Sequence, residues 1–304
     1  ALANGTSKIE NIHYSQDILA TISALGKLGA EIQCEEDSLL IHGGIKLEAD
    51  SAQLVHCKES GSTLRFMIPL FALRETQTIF TGEGRLLQRP QTVYQDIFCR
   101  QGLSYLHTED KITIMGKLKP GLYEIPGNIS SQFISGLLFA LPLLDGDSVI
   151  SILPPFESQS YLNLTIDLLA VYGIEIEKKD SYTLYIPGKQ SYQPYSYRVE
   201  GDFSQAAFWA VLSAINTPLT CKDLNLQSRQ GDKAILDIIQ TCGGHIHPMD
   251  RDSFSVQANQ LQGQEIDLAD CPDLGPILMV LALFCKGNTR IYHAKRLRYK
   301  ESDR

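Results

Sequence analysis

The sequence repeats itself about every 70 residues, and this period constrains the fold more than any other feature. Helix-like runs end in glycine and pass into short alternating patterns at Leu28-Gly29-Ala30-Glu31-Ile32, Gln101-Gly102-Leu103-Ser104-Tyr105, Tyr172-Gly173-Ile174-Glu175-Ile176 and Gly243-Gly244-His245-Ile246. The glycines Gly29, Gly102, Gly173 and Gly244 lie 73, 71 and 71 residues apart. A second ladder opens apolar helices at Ser62, Ser131, Ser204 and Asp273, with steps of 69, 73 and 69. A third marks the strand that follows each apolar helix, at Ile9, Ile79, Ile150, Leu219 and Ile291. One supersecondary unit is used again and again, so residues that the repeat does not need for folding stand out as chemistry.

The second unit shows the pattern best. Leu64, Met67, Ile68, Phe71 and Ala72 make residues 60–73 apolar on most faces, which predicts a buried helix. Residues 76–80 alternate as a strand. Residues 90–100 form an amphipathic helix with Val93, Ile97 and Phe98 on one side, and 103–106 and 111–115 form a hairpin. Helix, strand, helix, hairpin predicts an α/β chain whose sheets are covered by helices on one face. The Pro/Tyr/Ser-rich stretch 190–197 puts a domain boundary at 198–202, giving a first lobe over 1–199 and a partial second lobe over 200–304. Trp209, inside the next apolar helix, is expected in the core. Residues 1–5 match the tail of the buried helix of later units, and Arg304 falls where earlier units start their amphipathic helix. A fragment of a longer protein is therefore expected.

Composition narrows the function classes. A 43% apolar content supports a packed core, and a net charge of −8 argues against nucleic-acid and membrane-surface partners. The seven cysteines are scattered without a CxxC pair, which reads as reduced thiols and a cytoplasmic location. The longest apolar stretch, 133–144, contains Ser135, Gly136 and Pro142 and is too short to span a bilayer.

Three departures from plain scaffold point to anion chemistry. The buried helices start with Glu59-Ser60-Gly61-Ser62-Thr63, Gly127-Asn128-Ile129-Ser130-Ser131-Gln132, Gly201-Asp202-Phe203-Ser204 and Pro272-Asp273-Leu274-Gly275. Free N–H groups and the positive dipole end attract anions there, and Gly and Ser allow close approach. Asp202 and Ser204 read as ordinary capping, whereas Ser130-Ser131-Gln132 exceeds what one cap requires. Arg85, Arg89, Lys295, Arg296, Arg298, Lys300 and Arg304 gather in corresponding loops of two units, and arginine suits bidentate phosphate or carboxylate binding. Lys300-Glu301-Ser302-Asp303-Arg304 sets a carboxylate between cations, where it can move a proton beside a held anion. His245 and His247 share a strand face without a third ligand and read as surface, so no metal site is expected. Gly82-Glu83-Gly84 lacks the Lys-Ser/Thr of a phosphate loop.

Together these segments resemble the EPSP synthase (3-phosphoshikimate 1-carboxyvinyltransferase) family over nearly the whole chain. Leu297-Arg298-Tyr299-Lys300-Glu301-Ser302-Asp303-Arg304 looks like its LRxKESDR signature. Gly61-Ser62-Thr63-Leu64-Arg65-Phe66 looks like its second signature, and Ser130-Ser131-Gln132-Phe133 like its substrate-phosphate segment. The resemblance implies a two-domain inverse α/β barrel-like fold of repeated βαβαββ units closing over shikimate 3-phosphate and phosphoenolpyruvate, as a cytoplasmic monomer with no cofactor. It implies Ser130, Ser131, Gln132, Ser158, Tyr161, Asp273 and Lys300 as binders of shikimate 3-phosphate, and Gly61, Ser62, Arg89, Gln132 and Arg304 as binders of phosphoenolpyruvate. Asp273 would accept the hydroxyl proton, and Glu301 with Lys300 would serve the methylene carbon. Arg296 stands where some members carry Asn. The family's Lys-Ser…Arg segment and its late His-Arg and Lys elements are absent from the sequence, so the fragment is expected to be inactive. The alternatives are UDP-N-acetylglucosamine enolpyruvyl transferase, disfavoured because no Cys lies in a Pro-Gly-Gly loop near residues 85–90, and a non-catalytic anion-binding scaffold.

Overall fold

The computed structural model describes residues 1–46, 51–258 and 260–300. Two compact units emerge: residues 1–156 with 165–199, and residues 157–164 with 200–304. The segment 157–164, expected in the first lobe, belongs to the second unit. Its backbone is tied there, with Ser158 N–H donating to the Ala269 carbonyl at 3.1 Å and Gln159 N–H to Asp270 Oδ1 at 2.9 Å.

The first unit holds three four-stranded sheets of one design. The elements run β1 (Gly5–Glu10), α1 (Gln16–Leu28), β2 (Glu31–Cys34) and β3 (Ser38–Gly43), then β4 (Gln53–His56), α2 (Gly61–Phe71), β5 (Thr78–Thr81), α3 (Thr92–Gln101), β6 (Ser104–His107) and β7 (Ile112–Met115). There follow β8 (Leu122–Pro126), α4 (Ser131–Ala140), β9 (Ser148–Leu153), α5 (Gln159–Val171), β10 (Glu177–Lys178), β11 (Thr183–Ile186) and β12 (Tyr197–Arg198). The sheet orders are β12-β1-β3-β2, β4-β5-β7-β6 and β8-β9-β11-β10. Each has one parallel pair (β12 with β1, β4 with β5, β8 with β9), and its other pairs are antiparallel. The repeat is therefore βαβαββ, with a short strand before the buried helix that the residue pattern alone does not reveal.

Local chemistry sets the element ends. Ser15 caps α1 by accepting the Ile18 N–H at 3.3 Å, and Gly29 closes it with φ 113°. Gly102 closes α3 with φ 70°, and such left-handed backbone favours glycine. In the fourth repeat the left-handed residue is Gly243, with φ 98°, rather than Gly244, which begins a strand. Nine of the eleven α2 residues are buried, so its apolar faces meet protein on nearly every side. Its neighbour α4 comes within backbone contact, since a Cβ on Gly136 would lie 2.4 Å from the Arg65 carbonyl oxygen and 2.5 Å from the Tyr94 hydroxyl.

The second unit runs α6 (Phe203–Ile215), β13 (Thr220–Lys222), α7 (Ala234–Thr241), β14 (Gly244–Pro248), β15 (Ser253–Ala258), β16 (Glu265–Asp267), α8 (Gly275–Leu283) and β17 (Arg290–Tyr292). One sheet is ordered β13-β15-β14, and β16 pairs in parallel with β17. Its core includes Phe203, Ala207, Ala210, Ile235, Ile239, Phe254, Val256 and Leu278. Trp209 is a correction: it is 59% exposed, on the α6 side that also carries Phe208 and Leu212. The small residues Ala206, Ala207 and Ala210 face the core instead. The cue in the sequence is slight: Gln205, four residues before Trp209, shares its exposed face.

Candidate active site

In the first unit, two helix starts carry the predicted anion-binding groups. Ser60 caps α2, its Oγ accepting the Thr63 N–H at 3.2 Å and lying 3.1 Å from Ser62 Oγ. Ser130 caps α4 by accepting the Gln132 N–H at 3.3 Å, which leaves Ser131 as the first residue of the helix proper. Ser131 is buried, while Ser62, Ser130 and Gln132 are half-buried. Both starts offer hydroxyls beside backbone N–H groups at a positive helix pole.

Two buried guanidinium groups meet the first of these starts. A Cβ on Gly61 would lie 2.9 Å from Arg89 Nη1, 3.2 Å from Arg89 Cζ and 3.4 Å from Arg65 Nη1. Arg89 is 8% exposed and Arg65 is 5% exposed, so both charges sit where the local dielectric is low and their fields are strong. Arg89 Nη1 donates to the Glu59 carbonyl at 3.4 Å. Arg65 Nη1 donates to Gln132 Oε1 at 2.7 Å, and its guanidinium lies over the Phe133 ring, 4.9 Å from the centroid. Tyr94 locks the pair of helices from below, its hydroxyl donating to the Arg65 carbonyl at 2.6 Å. Arg85, from the same basic stretch as Arg89, is exposed.

The second unit contributes a different set. Ser158 adopts φ 59° and is buried, and its Oγ accepts from Arg296 Nη1 at 2.9 Å. Arg296 Nη2 donates to the Ala269 carbonyl at 2.5 Å, and Arg296 Nε pairs with Glu157 Oε2 at 2.5 Å. Arg296 is thus engaged by its own unit rather than displayed, while Lys295 and Arg298 beside it are exposed. Lys300 Nζ lies 2.7 Å from Asp273 Oδ1, joining a predicted base to a predicted cation. Tyr161 donates to Asp232 Oδ2 at 2.9 Å, and the Ser204 hydroxyl donates to the same oxygen. Burial pushes the Asp232 carboxyl up, the Ser204 and Tyr161 hydroxyls pull it down, and the charges of Asp273 and Asp202 raise it further. Burial, then the charges of Asp232 and Asp273, drive Tyr161 far above the ordinary phenol range, so it stays a neutral hydroxyl. Burial likewise pushes the nearby Cys271 thiol up to about 12, which removes it as a nucleophile at neutral pH.

All but two of the predicted residues fall among the described ones. Gly61, Ser62, Arg89, Ser130, Ser131 and Gln132 gather at the starts of α2 and α4 and the loop after β5. Ser158, Tyr161, Asp273 and Lys300 belong to the second unit. Glu301 and Arg304 lie outside the described residues. Asp202 is an ordinary cap, accepting the Ser204 N–H at 2.8 Å. His245 and His247 are exposed on β14. Sequence reasoning missed Arg65 and Asp232. Arg65 had a signal, a lone cation in an otherwise apolar helix. Asp232 had none, because Gln230-Gly231-Asp232-Lys233 reads as any polar turn.

Comparison with known proteins places the chain in a family. The family model described as EPSP synthase (3-phosphoshikimate 1-carboxyvinyltransferase) matches residues 1–304. A Clostridium acetobutylicum protein named 3-phosphoshikimate 1-carboxyvinyltransferase is 47% identical over 309 residues, covering 100% of this chain and 72% of its own length. One of the same name from Clostridium perfringens is 42% identical over 306 residues, with 100% and 72% covered. Among solved structures, an EPSP synthase from Acinetobacter baumannii superposes with a TM-score of 0.78 at 21% identity, covering 100% of this chain and 71% of the other. The enolpyruvyl transferase NikO from Streptomyces tendae superposes with a TM-score of 0.72 at 14% identity, covering 95% and 70%. At these identities the structural likenesses speak for the fold alone, which is the α/β enolpyruvyl transferase type.

Proposed function

The chain belongs to the EPSP synthase family, and from this premise we propose that it transfers the enolpyruvyl group of phosphoenolpyruvate to the 5-hydroxyl of shikimate 3-phosphate. The observation that carries the reading is the convergence of two buried guanidiniums, Arg65 and Arg89, on the start of α2, in the unit that also builds the Ser130-Ser131-Gln132 start of α4. Two substrates bearing phosphate and carboxylate groups need such donors, and the two alternatives weighed from the sequence gain no support from the relatives' names.

In this reading Gly61, Ser62, Arg89, Gln132 and Arg304 hold phosphoenolpyruvate, and Ser130, Ser131, Gln132, Ser158, Tyr161 and Lys300 hold shikimate 3-phosphate. The 5-hydroxyl oxygen bonds to C2 of phosphoenolpyruvate while its proton passes to Asp273. Glu301, assisted by Lys300, protonates the methylene carbon to a methyl group. The tetrahedral intermediate then expels phosphate, and a methyl proton leaves to restore the double bond. The ion pair of Lys300 with Asp273, at 2.7 Å, sets the proposed base beside a cation that can also hold an anionic substrate. The seven cysteines are free thiols, as suits a reducing cytoplasm.

The test is calorimetric titration with shikimate 3-phosphate and then phosphoenolpyruvate, alongside an assay of phosphate release. Ser131→Ala is expected to weaken shikimate 3-phosphate binding about tenfold by removing one hydroxyl donor to a charged acceptor. Uptake of neither substrate by the unaltered protein would refute the assignment. Gly61→Ala is a second check. Its methyl group displaces the Arg89 guanidinium, a flexible side-chain end, so the fold tolerates the change while phosphoenolpyruvate affinity falls roughly tenfold.

A further inference from the structure

Arg65 is an anomaly in its helix. Every other buried residue of α2 is apolar or small, yet Arg65 is 5% exposed. Its guanidinium is fixed on two sides, by the Phe133 face at 4.9 Å and by Gln132 Oε1 at 2.7 Å. A guanidinium carries five N–H donors and no acceptor. The Gln132 amide therefore has one permitted orientation: the oxygen turns to Arg65 and the NH₂ turns away.

We infer that Arg65 is a positioning residue that sets the polarity of Gln132, so that its amide presents only N–H donors to the ligand. The inference rests on the functional reading, which gives Gln132 to both substrates, and deepens it. An unanchored amide can serve a ligand hydroxyl or a ligand anion equally well. An anchored one selects phosphate or carboxylate oxygen. Ser130 Oγ spends one of its two lone pairs on the Gln132 N–H at 3.3 Å, and its O–H remains a donor. At the start of α4 the Gln132 amide oxygen is thus taken by Arg65 while its NH₂ stays a donor.

Calorimetric affinity for shikimate 3-phosphate in four variants tests this. Arg65→Met and Gln132→Ala are each expected to weaken binding about tenfold, and the double variant to be no weaker than the poorer single. Gln132→Glu keeps the bond to Arg65, and its thermal midpoint does not fall. Its second oxygen, however, faces the ligand phosphate, so affinity drops at least roughly a hundredfold, well below that of Gln132→Ala. Effects of Arg65→Met and Gln132→Ala that multiply overturn the inference. Should Arg65→Met fail to fold, Gln132→Glu decides alone, and binding equal to or tighter than that of Gln132→Ala overturns the inference. An unaltered protein that binds no shikimate 3-phosphate overturns the functional reading and this inference with it; one that binds while the variants behave otherwise than stated overturns the inference only.

Discussion

Arg89→Leu is expected to weaken phosphoenolpyruvate binding roughly a hundredfold, or about 2.7 kcal/mol, with little change in thermal stability. Arg89 is 8% exposed and its Nη1 and Cζ stand 2.9 Å and 3.2 Å from where a Gly61 Cβ would be. A phosphate or carboxylate arriving at the start of α2 meets that charge in a low-dielectric setting and can take two of its N–H groups together. Leucine covers the same apolar stem without the charge. Titration with phosphoenolpyruvate in saturating shikimate 3-phosphate measures the loss, and an affinity within threefold of the unaltered protein would remove Arg89 from the site.

Gly136→Ala is expected to destabilise the first unit by about 3 kcal/mol. The new Cβ would stand 2.4 Å from the Arg65 carbonyl oxygen, a backbone atom with nowhere to go, and 2.5 Å from the Tyr94 hydroxyl. α2 and α4 must separate, and the buried bond from Tyr94 to the Arg65 carbonyl, 2.6 Å in length, is strained with them. Overpacking costs about 1–3 kcal/mol, and a compromised buried hydrogen bond adds about 1–3 more. A loss of about 3 kcal/mol lowers the midpoint of a unit this size by roughly 10 °C in a thermal melt. A midpoint within 2 °C of the unaltered protein would show that the helices separate without cost.

Much of this is legible in the sequence. Glycines that close helices, and serines that open them, are local signals, and they recover the period, the main helices and the hairpins. What escaped depends on tertiary contact. β4 and β8 are short, and β4 begins and ends with Gln53 and His56, so neither alternates long enough to be seen. The basic stretch around residues 85–89 looked uniform, yet only Arg89 is buried while Arg85 is solvated. Arg296 belongs to a basic cluster in sequence and is held by Glu157 and Ser158, residues far away in sequence. α6 is mostly apolar, and Gln205, one turn earlier on the same exposed face, is the single polar cue against reading Trp209 as core.

That last residue has a practical consequence. The chain has a single tryptophan, and it stands 59% exposed on α6. Its fluorescence is therefore a private reporter of the second unit: red-shifted and readily quenched by iodide as it stands, and turning blue and shielded whenever anything comes to rest on that side of the helix.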